Sequence, residues 1–348
     1  MKNGKESFVI IEPFFIELVK QLKNFNPIIC TTTLDEEFFQ EFERTINELN
    51  NISDISKKTI LIDFVPFLDI GGTNQFKKIA ELIKDKKILI VSNSILAPSF
   101  NNNGIPTLVL DSELNIIKPP SQSEKDFGEV TNYFSLHQEY VEDVVFDLVE
   151  KSKRFPEGKY ISLPDGSAVN MWFDVKKIID NPRDLLFISY QLSYLLTRAY
   201  TKEIDEDGFI VSNNNAWALA SMLSRILNKK IHIIDSLGPS PRVNSGWLQE
   251  IGRKINGSSL IIVEDLISTG REVDLLYFFL NYVGAKVKRV ITLVNLERGE
   301  PIFKSIKTEE GKNCFSVLSL CRPLYKIEDY EVIPKYKLGN KIWKRRPY

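Results

Sequence analysis

Short, strongly apolar runs separated by stretches of helical period set the pattern of the first third of the chain. The runs are SFVIIEPFF (residues 7–15), PIICTTT (27–33), TILIDFVPFL (59–68), KILIVSNSI (87–95) and TLVLD (107–111). Each is bounded by Asn, Asp, Pro or Gly, which predicts buried parallel strands. Between them, Leu34, Phe38, Phe39, Phe42, Ile46 and Leu49 recur at helix spacing, opened by Thr33 as a cap with Glu36 three residues later. Phe76, Ile79, Leu82 and Ile83 mark a second helix.

This strand–helix alternation predicts an open parallel sheet covered by helices, a Rossmann-like α/β domain over residues 1–118. The stretch 119–132, PPSQSEKDFGEVTN, is rich in Pro, Ser and charge with no apolar period and reads as a linker. A second domain, 133–348, opens on an amphipathic helix carrying Tyr140, Val144, Val145, Leu148 and Val149. Strand patterns then resume as YISL (160–163), GFIVS (208–212), KIHIID (230–235), SLIIVED (259–265) and KRVITLVN (288–295). His232 is expected as a structural residue of its strand, and the helical pair Phe278–Phe279 as core.

The chemistry concentrates in Ser259–Glu272, SLIIVEDLISTGRE. Four apolar residues, Leu260–Val263, run into two adjacent acids, Glu264 and Asp265. Two apolar residues follow, then Ser268, Thr269 and Gly270, and then the helical stretch VDLLYFFLNYVGA. A buried strand thus carries two carboxylates toward its C-terminal end, where open α/β sheets place ligands. The small turn offers backbone N–H groups at a helix N-terminus, an anion cradle. The spacing matches the reach from the hydroxyls of a ribose to its 5′-phosphate.

This segment resembles the type I phosphoribosyltransferases, whose signature is four apolar residues, two acids, two apolar residues and a Ser/Thr-Thr-Gly turn. YISLPDGSAVNMWFDVKK (160–177) resembles the opening of the orotate branch through Leu163, Pro164, Gly166, Phe173 and Asp174. VNLERG (294–299) resembles the strand and turn after the motif helix, and 207–227 occupies the place of the pyrophosphate loop. The resemblance covers about residues 133–330. It implies a parallel sheet with helices on both faces, and a glycosyltransferase (pentosyltransferase) acting on phosphoribosyl pyrophosphate or a nucleoside monophosphate. Glu264 and Asp265 would hold the ribose hydroxyls, and Ser268, Thr269, Gly270, Arg271 and Glu272 the 5′-phosphate. Asn213, Asn214 and Asn215 would face the pyrophosphate, Arg242 would supply loop charge, and Trp172 and Asp174 would form the hood over the base. Magnesium would be held through the ligand and through Glu264 and Asp265. A homodimer is the common assembly of the family.

Departures from the pattern narrow this expectation. Displacing pyrophosphate calls for magnesium and mobile cations around the leaving group. Yet IIDSLGPSPRVNSGW (233–247) carries Arg242 alone, with Arg253 and Lys254 later. Three Asn residues replace a glycine-rich turn, although Asn tolerates left-handed backbone and donates hydrogen bonds. The family Ser-Gly becomes Asp165-Gly166, and an Asp there repels an orotate carboxylate. The expected function is therefore phosphoribosyl transfer to or from a base other than orotate. The alternatives are an inactive phosphoribosyl pyrophosphate or nucleotide sensor, and a nucleotide-targeting stress or antiviral effector.

Composition changes little beyond removing partners. With 45 basic and 46 acidic side chains the net charge is -1, which gives no electrostatic case for nucleic acid or an anionic membrane. No apolar run is long enough to span a bilayer. Three cysteines, Cys30, Cys314 and Cys321, form no disulfide framework or zinc spacing, and a cytoplasmic setting is expected. Asp69–Thr73, DIGGT, resembles a sugar-kinase phosphate turn but lies between strand and helix, where a glycine turn into a helix is the plain reading. Glu12, Thr31–Thr33, Asp63 and Ser92 fall near strand ends with nothing specific to mark them. The basic tail KYKLGNKIWKRRPY reads as a solvated terminus.

Overall fold

The computed structural model describes residues 8–23, 33–50, 59–84, 88–118, 133–154, 161–162, 167–169, 172–234, 245–268, 270–296, 314–319 and 325–326. The chain divides into two compact units, Met1–Val141 with Ser193–Ile204, and Glu142–Leu192 with Asp205–Tyr348. The expected strand at Pro27–Thr32 and the expected linker 119–132 lie outside the described residues.

The first unit contains β1 (Phe8–Ile11), α1 (Pro13–Lys23), α2 (Glu36–Asn50), β2 (Thr59–Asp63), α3 (Thr73–Ile83), β3 (Ile88–Asn93), α4 (Ala97–Asn102), β4 (Thr107–Leu110) and β5 (Ile116–Lys118). The first part of α5 (Tyr133–Ser152) belongs to it as well. Its strands pair in chain order, β1-β2-β3-β4-β5, parallel until the antiparallel β5. Every residue of β2 and β3 is buried, which is why both read as continuous apolar runs rather than alternating ones. The helix α2 starts later than its pattern suggested. Asp35, not Thr33, caps it, its Oδ1 accepting from the Phe38 N–H at 3.0 Å.

Side chains of this unit close the C-terminal ends of its own strands. Asp63, fully buried at the end of β2, accepts from the Val65 N–H at 2.8 Å and from the Tyr194 hydroxyl at 2.8 Å. Asn93, at the end of β3, donates to the carbonyls of Val65 and Phe67 and accepts from the N–H groups of Ile95 and Leu96. Glu12 meets His137 Nε2 at 2.8 Å, and the His137 ring stacks on Tyr194 at 4.3 Å. These contacts explain why 133–141 and Ser193–Ile204 belong with the first sheet although the sequence drew its boundary ahead of residue 133. The DIGGT stretch is a local turn, with Gly71 at φ 100 and its N–H donating to Asp69 Oδ1.

The second unit takes the rest of α5, then β6 (Lys153–Arg154), β7 (Ile161–Ser162), β8 (Ser167–Val169), β9 (Trp172–Phe173), α6 (Lys176–Ile179) and most of α7 (Pro182–Leu196). It continues with β10 (Gly208–Val211), α8 (Asn214–Leu227), β11 (Lys230–Ile233), α9 (Ser245–Ile255), β12 (Ser259–Ile267), α10 (Arg271–Tyr282), β13 (Lys286–Asn295), β14 (Cys314–Ser319) and β15 (Tyr325–Lys326). Its main sheet is parallel throughout, in the order β11-β10-β12-β13-β14. Two small antiparallel sheets, β15-β8-β7 and β6-β9, stand apart from it.

Helices cover both faces of the main sheet. Ile255 of α9 and Val273, Leu276 and Leu280 of α10 share one core with Ile210, Leu260, Ile262 and Val290, while α8 packs on β10 and β12 without entering that core. Gly208 lets β10 approach β11, since a Cβ there would lie 2.5 Å from the Lys230 carbonyl oxygen. One expectation fails on α10. Phe278 is 53% exposed, because the helix turns Val273, Leu276 and Leu280 inward and leaves Leu275, Phe278 and Tyr282 on its outer face.

Candidate functional site

Strand order creates the site. From β10 the chain passes through α8 to β11 on one side, and from β12 it passes through α10 to β13 on the other. Connections thus diverge between β10 and β12, and a parallel sheet opens a crevice at the C-terminal ends of such a pair. The pairing register marks the opening. β10 pairs with β12 only as far as Ile210 opposite Ile262, whereas β12 stays paired with β13 out to Ile267 opposite Asn295. Glu264 and Asp265 fall in the stretch of β12 that has lost β10. They lie within the strand rather than beyond it, because β13 carries the ladder onward.

Both acids are met by side chains of one short segment, Ser212–Asn215, between the end of β10 and the start of α8. Asp265 accepts from Asn215 Nδ2 of α8 at 3.1 Å. Glu264, 1% exposed, accepts from Ser212 Oγ at 3.3 Å and from Asn213 Nδ2. Asn213 also caps α8, its Oδ1 accepting from the Ala216 N–H at 2.7 Å. Its backbone is extended, with φ -131, not the left-handed turn that three Asn residues suggested. Asn214 is exposed at the start of the helix.

Both carboxyls are held above the usual carboxylate range. For Glu264 the causes are burial, then Glu272, then Asp265, with Ser212 and Asn213 pulling the other way. For Asp265 burial dominates, offset chiefly by the Asn215 amide. Glu272, in the first turn of α10, is raised by desolvation and then by Asp265.

The turn after β12 has the backbone its sequence requires. Gly270 sits at φ 79 and ψ 0 as the residue before α10, a left-handed conformation that glycine adopts without strain. Ser268 is half-buried, Gly270 is buried and Arg271 is exposed. The acids lie near the end of β12 and α10 begins at Arg271, a few residues further along the chain.

Arg242 and Thr269 lie outside the described residues, as do Leu163–Gly166 and residues 297–299. Trp172 forms β9 with Phe173, but its side chain lies outside the described residues. Asp174 follows that strand with its N–H donated to the Ser152 carbonyl at 3.0 Å. Ser212 heads the expected pyrophosphate loop, but its contact with Glu264 follows from the register of β10 against β12, which no local pattern in the sequence gives. His232 is half-buried, its imidazole pKa lowered by burial and then by Lys230, as suits a structural role.

Among the described residues no group of three or more His, Cys, Asp and Glu is arranged to hold a metal ion. No described helix is long and apolar enough to cross a membrane. The oxygens of Glu264 and Asp265 are nevertheless hard donors of the kind magnesium takes one or two of, alongside phosphate oxygens and water.

No family model matches the sequence, and no curated protein matches it. Among solved structures, the chain is similar to the orotate phosphoribosyltransferase of Aeropyrum pernix, at 15% identity and TM-score 0.37, over 52% of this chain and 93% of that one. It is similar to Leishmania donovani UMP synthase at 14% identity and TM-score 0.38, over 91% of this chain and 77% of that one. It is also similar to an adenine phosphoribosyltransferase from Thermoanaerobacter pseudethanolicus, at 12% identity and TM-score 0.34, over 50% of this chain and 99% of that one.

Proposed function

We propose that the second unit binds phosphoribosyl pyrophosphate or a nucleoside monophosphate and transfers its phosphoribosyl group to or from a base other than orotate. The observation that carries this reading is the placement of Glu264 and Asp265 at the β10/β12 crevice, one short turn before the left-handed Gly270 and the start of α10. Ribose hydroxyls are donors and carboxylates are acceptors, so adjacent acids suit a vicinal diol. Backbone N–H groups of Ser268–Glu272 at the entrance to α10 would cradle the 5′-phosphate. The start of α8, Asn213–Asn215, would lie by the pyrophosphate, and Arg242 would meet it from the loop before α9. Trp172 and Asp174 remain the hood residues of this reading.

Magnesium, held by the diphosphate and by Glu264 or Asp265, would supply charge neutralisation at the leaving group. The chain's own part is to fix the ribose through the acids and the phosphate through the turn, so that the glycosidic carbon is presented in one orientation.

A sensor that keeps the pocket without transfer is the second reading, favoured by the single cation, Arg242, between residues 233 and 247. One experiment separates the two. The protein is incubated with phosphoribosyl pyrophosphate, magnesium and a panel of bases, and both binding and pyrophosphate release are followed. Release with any base establishes transfer. Binding that Asp265→Asn abolishes, with no release for any base, leaves the sensor. No binding removes both.

A further inference from the structure

We infer that Asn213 and Asn215 are positioning residues for the two ribose-directed acids, rather than direct contacts of the diphosphate. This rests on the ribose-phosphate reading for its ligand, but on side-chain geometry for its substance. The orientation of the Asn213 amide is fixed by its own neighbours. Its Oδ1 accepts from the Ala216 N–H as the cap of α8, so its Nδ2 faces Glu264 and donates there. Asn215, two residues on, turns its Nδ2 to Asp265 at 3.1 Å. Both amides therefore spend donors on the carboxylates from one helix end.

Physical chemistry explains why amides stand at these two places. Two adjacent carboxylates in a buried strand cost heavily unless each is hydrogen-bonded. Lys or Arg would satisfy them but would also neutralise them and occupy their outer lone pairs. A neutral amide N–H aims a carboxylate through one oxygen and leaves the remaining lone pairs to accept from a ligand hydroxyl. The three-point arrangement also fastens the N-terminus of α8 to β12 across the crevice, where no backbone ladder joins β10 to β12 beyond Ile262. Ser212 adds a third donor, to Glu264 Oε1 at 3.3 Å.

The test uses the full chain and two variants chosen to keep the fold. In Asn213→Ser the helix cap is retained, since Ser caps as well as Asn, but the side chain is too short to hold Glu264. Asn215→Ala removes the donor to Asp265. Affinities for ribose 5-phosphate, for its 2-deoxy analogue and for inorganic pyrophosphate are measured by calorimetry at one pH, below the unfolding transition of each variant. Loss of a donor that aims a carboxylate is expected to weaken ribose 5-phosphate about tenfold, to weaken the 2-deoxy analogue less, and to leave pyrophosphate affinity unchanged. Variants that weaken pyrophosphate instead, or that bind ribose 5-phosphate as the wild type does, overturn the inference. If the wild type binds no ribose 5-phosphate, the ribose-phosphate reading falls, and crystal structures of the variants decide the positioning: Glu264 and Asp265 side chains that keep their orientation overturn it.

Discussion

Ser212 Oγ and Glu264 Oε1 stand 3.3 Å apart across a seam where their strands, β10 and β12, are no longer paired. A buried carboxylate has been placed where the sheet offers it no backbone donors from that side, and side chains supply them instead. Such an arrangement costs the fold stability, a cost that the proposed ribose-binding role would account for.

Glu264→Gln should therefore stabilise the protein while weakening ligand binding. Burial, Glu272 and Asp265 raise the Glu264 carboxyl well above its ordinary value. As pH rises, the unfolded chain ionises first. The carboxyl's contribution to stability is thus intact at acid pH and is lost as pH climbs from the ordinary carboxylate range through the raised one. Removing the charge should gain about 1 kcal/mol or more at pH 7 in urea unfolding, shrinking toward pH 4. A variant less stable than wild type at pH 7 would contradict this account of the site.

At the other end of the sheet a second buried carboxylate is held by an ion pair. Arg289 Nε and Glu206 Oε1 form an ion pair at 2.9 Å, and Glu206 is fully buried just before β10, both its oxygens without a hydrogen-bond partner among the described residues. Breaking a buried pair from one side strands the other charge. Arg289→Met should cost about 3–5 kcal/mol in chemical denaturation. The double change Arg289→Met with Glu206→Leu should recover much of that loss, and a double variant as unstable as the single would show that Arg289 acts through other contacts.

How far the site was legible depended on whether its cause was local. The acids, the Ser-Thr-Gly turn and the first residues of the helix after it lie within one segment, Ser259–Glu272, so their order along the chain was legible from local spacing. The donors Ser212, Asn213 and Asn215 come from the turn after β10 and the start of α8, about fifty residues away, and the register that brings them to Glu264 and Asp265 is a property of the sheet. The three Asn residues suggested a left-handed loop, but a helix cap won at Asn213 because its amide satisfies both Ala216 and Glu264. Burial of β2, β3 and β12 was readable from continuous apolar runs. The outward face of Phe278 was not, since its helix is apolar on more than one side and only the position of the sheet selects the buried stripe. Segment Ser193–Ile204 likewise joins the first unit through Tyr194 and its partners, contacts that no local pattern announces.

Tyr194→Phe tests that attachment within the first unit. The hydroxyl donates to Asp63 at 2.8 Å, both groups fully buried. The Asp63 carboxyl is raised by burial, with His137, Tyr133, the Val65 N–H and Tyr194 opposing. Losing the hydroxyl should cost about 1–3 kcal/mol at pH 7, the penalty of an under-satisfied buried acceptor. It should also raise Asp63 further, so the loss is largest above the raised pKa and diminishes as pH falls to where the carboxyl is protonated in both folded and unfolded chains. Urea denaturation at pH 7 and pH 4.5 reads the difference. An equal loss at both values would assign the effect to packing against His137 instead.

Gly270 gives the sharpest separation of backbone from side-chain effects at the phosphate turn. Its φ of 79 and ψ of 0 place it in left-handed space immediately before α10. Alanine there should cost about 1–2 kcal/mol, because a Cβ approaches the neighbouring carbonyl oxygen in that conformation. Asn visits the same region more readily, so Gly270→Asn should recover part of the stability. If the turn cradles a phosphate through its N–H groups, the alanine variant should lose affinity for phosphoribosyl pyrophosphate by more than its stability loss would explain at a temperature where it is fully folded. Calorimetric binding below the unfolding transition of each variant measures this. Equal destabilisation by Ala and Asn would mean that the added side chain collides in the buried turn, and that left-handed strain is the smaller cost.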